Sequence, residues 1–230
     1  KSELRKVLDF EISQELVSKH PNLRIGVLVV DDLNNSEKHE ELSKMLRAEE
    51  AVFRQKYFGK DLSSIKGIKS WREAYSSFGA KPKDYKSSIE ALAKRVLKGD
   101  QIPSINPLVD LYNYISIKYI LPAGADDLSK VKGKIMLKYA KGGESFFKIG
   151  SQQNEPPEKG EIVYADNEGI LCRRWNWREC DRTKLTEHTK GAAVYLESLN
   201  NDDSLEEAIV ELASLIEKHC KAKVSCFVVQ

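Results

Sequence analysis

Residues Cys172-Arg173-Arg174-Trp175-Asn176-Trp177-Arg178-Glu179-Cys180-Asp181 bring two indoles, an amide, three arginines and two carboxylates together. A guanidinium binds carboxylate or phosphate through its planar fork, and an indole offers a stacking face to a base, a ring or a cation. The structural alternative is an amphipathic strand with Trp175 or Trp177 in the core and the arginines outside. A second stretch runs from Ile105 to Tyr114. Asn106 can cap a helix there and Pro107 suits its first turn. Leu108, Leu111, Tyr112, Ile115 and Tyr119 form an apolar stripe. Asn106, Asp110 and Asn113 fall on another face at i, i+4 and i+7, where they line a pocket or form a cap and a solvent face. In Leu121 to Asp127, Pro122 ends the helix, and the small residues around Gly124 either let backbone approach a ligand or make a plain turn. Thr186, in Leu185 to Lys190, is a turn cap or a pocket rim. His188 beside Glu187 is a weaker candidate base, because a lone His is more often a surface or satisfied core residue. No phosphate-binding loop, dinucleotide fingerprint, nucleophile elbow or H-E-x-x-H pair is present.

These groups need elements to hold them. Leu23 to Val30 predicts a buried strand, and a charged helix follows over Ser36 to Phe58 with Gly59 as its stop. Ser70 with Glu73, Ser87 with Glu90 and Ser204 with Glu207 read as capping boxes opening three more helices. Strands are predicted at Lys134–Lys138, Glu161–Tyr164, Ile170–Arg173, Ala193–Glu197 and Val224–Val228. Strands and helices alternate throughout, so the expected class is α/β, with α+β as the alternative: a mixed sheet with helices packed on it. A soft boundary falls near Gly79 to Pro82. It separates residues 1–80, a strand and helices that form a layer of the same domain or a unit of their own, from residues 81–230, which hold the unusual motifs.

The chain has 230 residues, 41% of them hydrophobic and 31% charged, a balance expected of a soluble globular protein with a real core. No apolar run approaches the roughly 18–20 residues that cross a bilayer, so no membrane association is expected. Lys1 to Glu11 carries no secretory pattern, so the compartment is expected to be the cytoplasm. Cys172, Cys180, Cys220 and Cys226 form no C-x-x-C pair and are expected to be reduced thiols rather than zinc ligands. Net charge is only +2. Its distribution is uneven: Lys81, Lys83, Lys86, Lys94, Arg95 and Lys98 crowd one segment against Asp84 and Glu90. Such a cluster either steers a polyanion or is a solvated helix face. On the first reading Lys83, Lys86, Lys94, Arg95 and Lys98 contact nucleic acid.

The order of these motifs resembles the editing (B3/B4) domain of the phenylalanyl-tRNA synthetase beta chain. Ile105-Asn106-Pro107-Leu108-Val109-Asp110, then Asn113-Tyr114, then Pro122, is similar to the segment in which an Asn-rich turn and a V-D-x-x-N-Y helix lead to a Pro-containing loop. Glu161 to Asp166 resembles the strand before the editing loop, and Thr186 to Glu197 the strand closing the site. Arg173 to Arg178 looks like the signature of free-standing members of the family. The likeness runs from about Trp71 to Glu197. It implies a B3/B4-like fold and a proofreading hydrolase that splits the ester joining a wrong amino acid to a tRNA 3′ end, with no metal or organic cofactor. It also implies a ligand held by Asn113, Arg173, Asn176 and Arg178, with Asn106, Asp110, Gly124, Trp175 and Thr186 around it. Glu179 would orient water or the ammonium group. The chain departs from the family where the synthetase has a His, here Gly124, and where its Gly-rich loop becomes Trp175-Asn176-Trp177. A binding module for an amino acid or small carboxylate, clamped by Arg178 or Arg173, and an RNA-binding accessory protein are the non-enzymatic alternatives.

Overall fold

The computed structural model describes residues 8–36, 39–202 and 204–230. The reading of Lys1 to Glu11 therefore falls mainly outside the described residues. Two sheets and six helices make up the described chain. The first sheet has the order β1 (Phe10–Ile12), β4 (Ile135–Tyr139), β5 (Ile162–Ala165), β6 (Ile170–Arg173), β7 (Arg178–Glu179). Only its β1–β4 pair is parallel. The second sheet is antiparallel, in the order β3 (Ala123–Asp127), β8 (Ala192–Ser198), β2 (Arg24–Asp31), β9 (Lys223–Val229). The expected single mixed sheet is thus two sheets, and the α/β mixture holds.

Strand β2 is the apolar run of the sequence, buried because it lies between β8 and β9. Helix α6 (Leu205–Cys220) packs on this sheet through Leu205, Ile209, Leu212 and Ile216. It sits close: a Cβ at Gly26 would lie 2.5 Å from Ile209 Cδ1. Helix α5 (Pro107–Tyr119) shares that core through Leu108, Leu111 and Ile115. Around the first sheet, Trp71 and Tyr75 of α3 (Lys66–Ser77) meet Trp175 in a second core. Helix α4 (Ser88–Leu97) joins that core through Ile89, Ala93 and Val96, while α2 (Glu40–Tyr57) contributes Leu46 and Phe53 to it and Leu42 to the other. A short α1 (Gln14–Lys19) follows β1.

The predicted starts fare unevenly. Ser87 does cap α4, its hydroxyl accepting from Glu90 N at 3.3 Å. Ser70 does not open a helix: α3 begins at Lys66, and the Ser70 hydroxyl donates back to Lys66 O. Ser204 stands at the start of α6 but makes no side-chain cap. The small residues Ala123 to Asp127 are a strand, not a turn.

Candidate functional site

A cavity of about 700 Å³ opens at the seam between the two sheets. Ala123, Gly124 and Asp126 of β3 and Tyr195 and Glu197 of β8 form one wall. Tyr164, Leu171, Cys172 and Glu179 of the first sheet form the other, while α4 and α5 bring Arg95, Tyr112 and Asn113. The β6–β7 turn closes it with Trp175, Asn176, Trp177 and Arg178.

That turn is strained and firmly held. Arg174 and Trp175 are consecutive non-glycine residues in the left-handed region, with φ 44° and 63°. Trp175 N donates to Ile162 O, and Arg174 N donates to the Glu161 carboxylate at 2.9 Å. The Trp175 indole is 0% exposed and stacks edge-on against Trp71, 4.9 Å between ring centres. Its Nε1 donates to Glu197 Oε2 at 2.6 Å. Glu197 also accepts from Tyr164 OH at 2.9 Å and from Asn176 Nδ2 at 3.1 Å. The Asn176 carbonyl oxygen accepts from Tyr75 OH at 2.6 Å. Asp126 accepts from Thr183 Oγ1 at 2.6 Å and Tyr195 OH at 3.1 Å. These polar groups are occupied with one another, so they shape the floor of the cavity.

Glu179 differs from them. The one hydrogen bond of its side chain to a described residue is a long one, 3.4 Å from Ala125 N to Oε1, and Oε2 accepts from none of them. The carboxylate lies against Gly124, where a Cβ would come within 2.7 Å of Glu179 Oε1. Gly124 is therefore what gives Glu179 its place. Burial, aided by the negative charge of Asp126, pushes the Glu179 carboxyl up to about 8. Burial likewise lifts Glu197 to about 7 and Asp126 to about 6. The side chains of Tyr112 and Asn113 also face the cavity with no hydrogen bond to any described residue. At the mouth stand Arg95, Lys148 and Arg178. Arg178 lies over the Trp177 ring at 4.9 Å and, like Arg95, has no ion-pair partner among the described residues. The cavity thus has an acidic floor, three unengaged polar groups above it and a cationic rim.

Of the residues singled out from sequence, Asn113, Gly124, Trp175, Asn176, Arg178, Glu179 and Arg95 come together here. Four others are placed elsewhere. Arg173 is spent in a forked pair with Glu161, 3.0 Å on both bonds, in the interior of the fold. Asn106 caps α5, accepting from Val109 N at 3.1 Å. Asp110 accepts from Ile105 N and the Ser104 hydroxyl, which fastens the loop before α5. Thr186 holds a turn, its hydroxyl accepting from His188 N. Lys83, Lys94 and Lys98 are exposed, Lys86 is half-buried, and none of these four lines the cavity. Sequence reading missed Tyr112, taken as part of an apolar stripe, and the carboxylates Asp126 and Glu197. The signal available for the last was a Glu inside a strand, Ala192–Ser198, that is otherwise mostly apolar. No trio of His, Cys, Asp or Glu among the described residues is arranged to hold a metal ion.

Known proteins bear on this geometry. The phenylalanine–tRNA ligase beta subunit of Aquifex aeolicus (strain VF5) is 40% identical over 71 residues, 31% of this chain and 9% of that protein. That of Thermotoga maritima is 37% identical over 72 residues, again 31% and 9%. The chain therefore matches under a tenth of the length of these relatives. An N-terminal fragment of the phenylalanyl-tRNA synthetase beta subunit from Pyrococcus horikoshii overlays 97% of this chain and 55% of its own, at TM-score 0.48 and 11% identity. The B3/4 domain profile matches residues 70–221, well over half of the chain, from within α3 to the end of α6. The protein belongs to the B3/4 domain family.

Proposed function

We propose that the cavity hydrolyses the ester between an amino acid and the 3′ end of a mischarged tRNA, acting in trans. One observation carries the reading: a single carboxylate with spare capacity, Glu179, sits between an acidic floor and a cationic rim. An aminoacyl ester on RNA has the matching polarity, an ammonium group at one end and phosphates at the other. The floor carboxylates Asp126 and Glu197 attract the ammonium, and Arg95, Lys148 and Arg178 meet the phosphates. The ester is already activated, so the site has to orient water and steady the developing oxyanion. Glu179, its carboxyl raised to about 8, takes a proton from water as the water oxygen bonds to the ester carbon. The Tyr112 hydroxyl and Asn113 amide donate to the carbonyl oxygen as it becomes negative. The bond to the ribose oxygen then breaks, and the leaving oxygen takes up the proton held by Glu179. A tRNA substrate and unpaired thiols both suit the cytoplasm.

The test is a panel of mischarged tRNAs incubated with the full chain. Loss of an oriented group acting on the reacting state costs about 10²–10³ in rate. Glu179→Gln is expected to fall in that range and Tyr112→Phe by about tenfold, neither with a fall in melting temperature. Gly124→Ala, whose Cβ displaces the Glu179 carboxylate, is expected to lose nearly as much as Glu179→Gln. If every mischarged tRNA survives while a free amino acid raises the melting temperature, the cavity is a binding site clamped by Arg178 and the hydrolytic reading fails.

A further inference from the structure

Strand β7 opens with an arginine at the main cavity, Arg178, and the β6–β7 turn before it holds another, Arg174, outside that cavity. Arg174 is 7% exposed, yet its guanidinium makes no hydrogen bond and no salt bridge to any described residue. Little of the residue is exposed, and its unpaired N–H groups are not among the fully buried ones, so they face open space rather than protein acceptors. What Arg174 has instead is aromatic contact: its Cζ lies 3.7 Å from the Tyr85 ring centre and 4.7 Å from that of Trp177. The two rings meet edge to face at 5.0 Å. They hold the guanidinium in one plane, with its N–H edge left over.

That edge lines a second cavity of about 270 Å³, bounded also by Gly79, Ala80, Lys81, Asp84, Glu158, Lys159 and Glu161. Its charge is resolved by pairing. Glu161 is spent on Arg173 and on the Arg174 and Glu158 backbone N–H groups. Asp84 and Glu158 are exposed, and they are outnumbered by Arg174, Lys81 and Lys159. The strained backbone at Arg174 keeps this arrangement from relaxing, because φ 44° is fixed by the Glu161 bond at one end and buried Trp175 at the other. The position matters as much as the charge. Trp177 lines the main cavity, and Arg174, on which it packs, lines the second, so the two cavities are one aromatic layer apart.

We infer that Arg174, with Lys81 and Lys159, forms an anion subsite that takes a backbone phosphate of the nucleotide chain whose 3′ end enters the main cavity. This rests on the proposed function for the choice of polynucleotide; the preorganised guanidinium argues for a phosphate in any case. The forked N–H edge grips two phosphate oxygens, and the lysines add charge at the rim. Tyr85 and Trp177, packed on that guanidinium, stand beside the phosphate.

Two probes test it, inorganic phosphate and a single-stranded RNA that carries no amino acid and ends in a free 3′ hydroxyl, so the outcome does not depend on hydrolysis. Tryptophan emission reports the site: Trp71 and Trp175 are 1% and 0% exposed, and Trp177 is the third of the three tryptophans. The RNA is expected to quench Trp177, and phosphate to compete with it. Arg174→Gln should weaken RNA binding about tenfold and flatten the slope of log affinity against log salt by about 0.7, the value of one single-strand phosphate contact. Because Arg174 is interior, Lys81→Gln with Lys159→Gln supplies a variant at exposed positions, expected to weaken RNA binding in the same direction. RNA affinity and salt slope unchanged in both variants would overturn the subsite. Phosphate binding lost in Arg174→Gln with RNA binding intact would overturn the polynucleotide assignment. Failure of the hydrolysis panel with these binding results intact would remove the proposed reaction and leave the subsite standing.

Discussion

At the residue scale, the cavity separates carboxylates that shape from a carboxylate that is free to act. Glu197 and Asp126 spend their oxygens on Tyr164, Trp175, Asn176, Thr183 and Tyr195, while Glu179 keeps one oxygen open. A base must be ionised, and the Glu179 carboxyl is held up to about 8, so it is mostly protonated at neutral pH. After subtraction of the uncatalysed ester hydrolysis, kcat/KM should rise with pH and level off above about 8, since that ratio reports groups of the free enzyme. Glu179→Gln should remove the rise. A flat profile in the wild type would exclude Glu179 as the base. Stability should run the other way. These carboxyls keep their protons to higher pH in the folded chain than in the unfolded one, so the folded chain binds more protons between the ordinary carboxylate range and about 8. Stability is greatest below that window and declines as pH rises through it. Only part of this was legible in the sequence. Glu179 and Asn113 stood out by their neighbours, but Tyr112 read as core because periodicity shows which face of a helix is apolar and not what faces its polar atom. Arg173 and Arg174 are chemically alike in sequence. The partner that consumes one of them, Glu161, stands just ahead of β5, twelve residues earlier in the chain.

At the scale of elements, Glu197 is a three-fold tie between the sheets. It stands on β8 of the second sheet and receives bonds from Tyr164 on β5 of the first and from Trp175 and Asn176 in the β6–β7 turn. Beside it, Tyr195 of β8 stacks on Tyr164 at 5.5 Å between ring centres. Glu197→Ala leaves three buried or half-buried donors without their acceptor, each costing about 1–3 kcal/mol less what entering water returns. A net loss of at least about 2 kcal/mol is expected, read from the urea midpoint at unchanged slope, with a smaller loss for Glu197→Gln, which keeps one acceptor oxygen. A loss within experimental error for Glu197→Ala would mean that packing and the remaining bonds between the sheets, such as Ala125 N to Glu179, suffice without it. Most strands and helices were visible as periodicity and caps, because those signals are local. Strand β3 was not, because Ala-Gly-Ala-Asp-Asp has the composition of a turn. It is extended only because β8 pairs with it from Ala123 to Asp127 and because Gly124 must admit Glu179. The Ser70 capping box failed for the opposite reason. A correct local pattern was overruled when the helix gained another turn from Lys66, with Ile68 entering the core.

At the scale of the whole molecule, the B3/4 match begins at residue 70, and the soft boundary read from composition falls near residue 80. Strand pairing and side-chain contacts cross both positions. Strand β2, Arg24–Asp31, lies between β8 and β9, and β9 has no other strand partner among the described residues. From the same first portion, Trp71 and Tyr75 pack around Trp175, and Tyr75 OH donates to Asn176, which helps to hold the β6–β7 turn in its strained form. Residues before 81 therefore supply the second strand from one edge of a sheet and one side of the turn that lines both cavities. We expect residues 81–230 expressed alone to lack a cooperative thermal transition and native near-ultraviolet dichroism, because removal of β2 exposes the apolar faces of β8 and α6 and leaves β9 unpaired. Co-expression with residues 1–80 as a separate chain should restore part of the folded signal if the missing strand is the cause. A fragment 81–230 that melts sharply by itself, and that still quenches Trp177 with single-stranded RNA, would show that the second sheet closes without β2 and that the first 80 residues form a unit of their own.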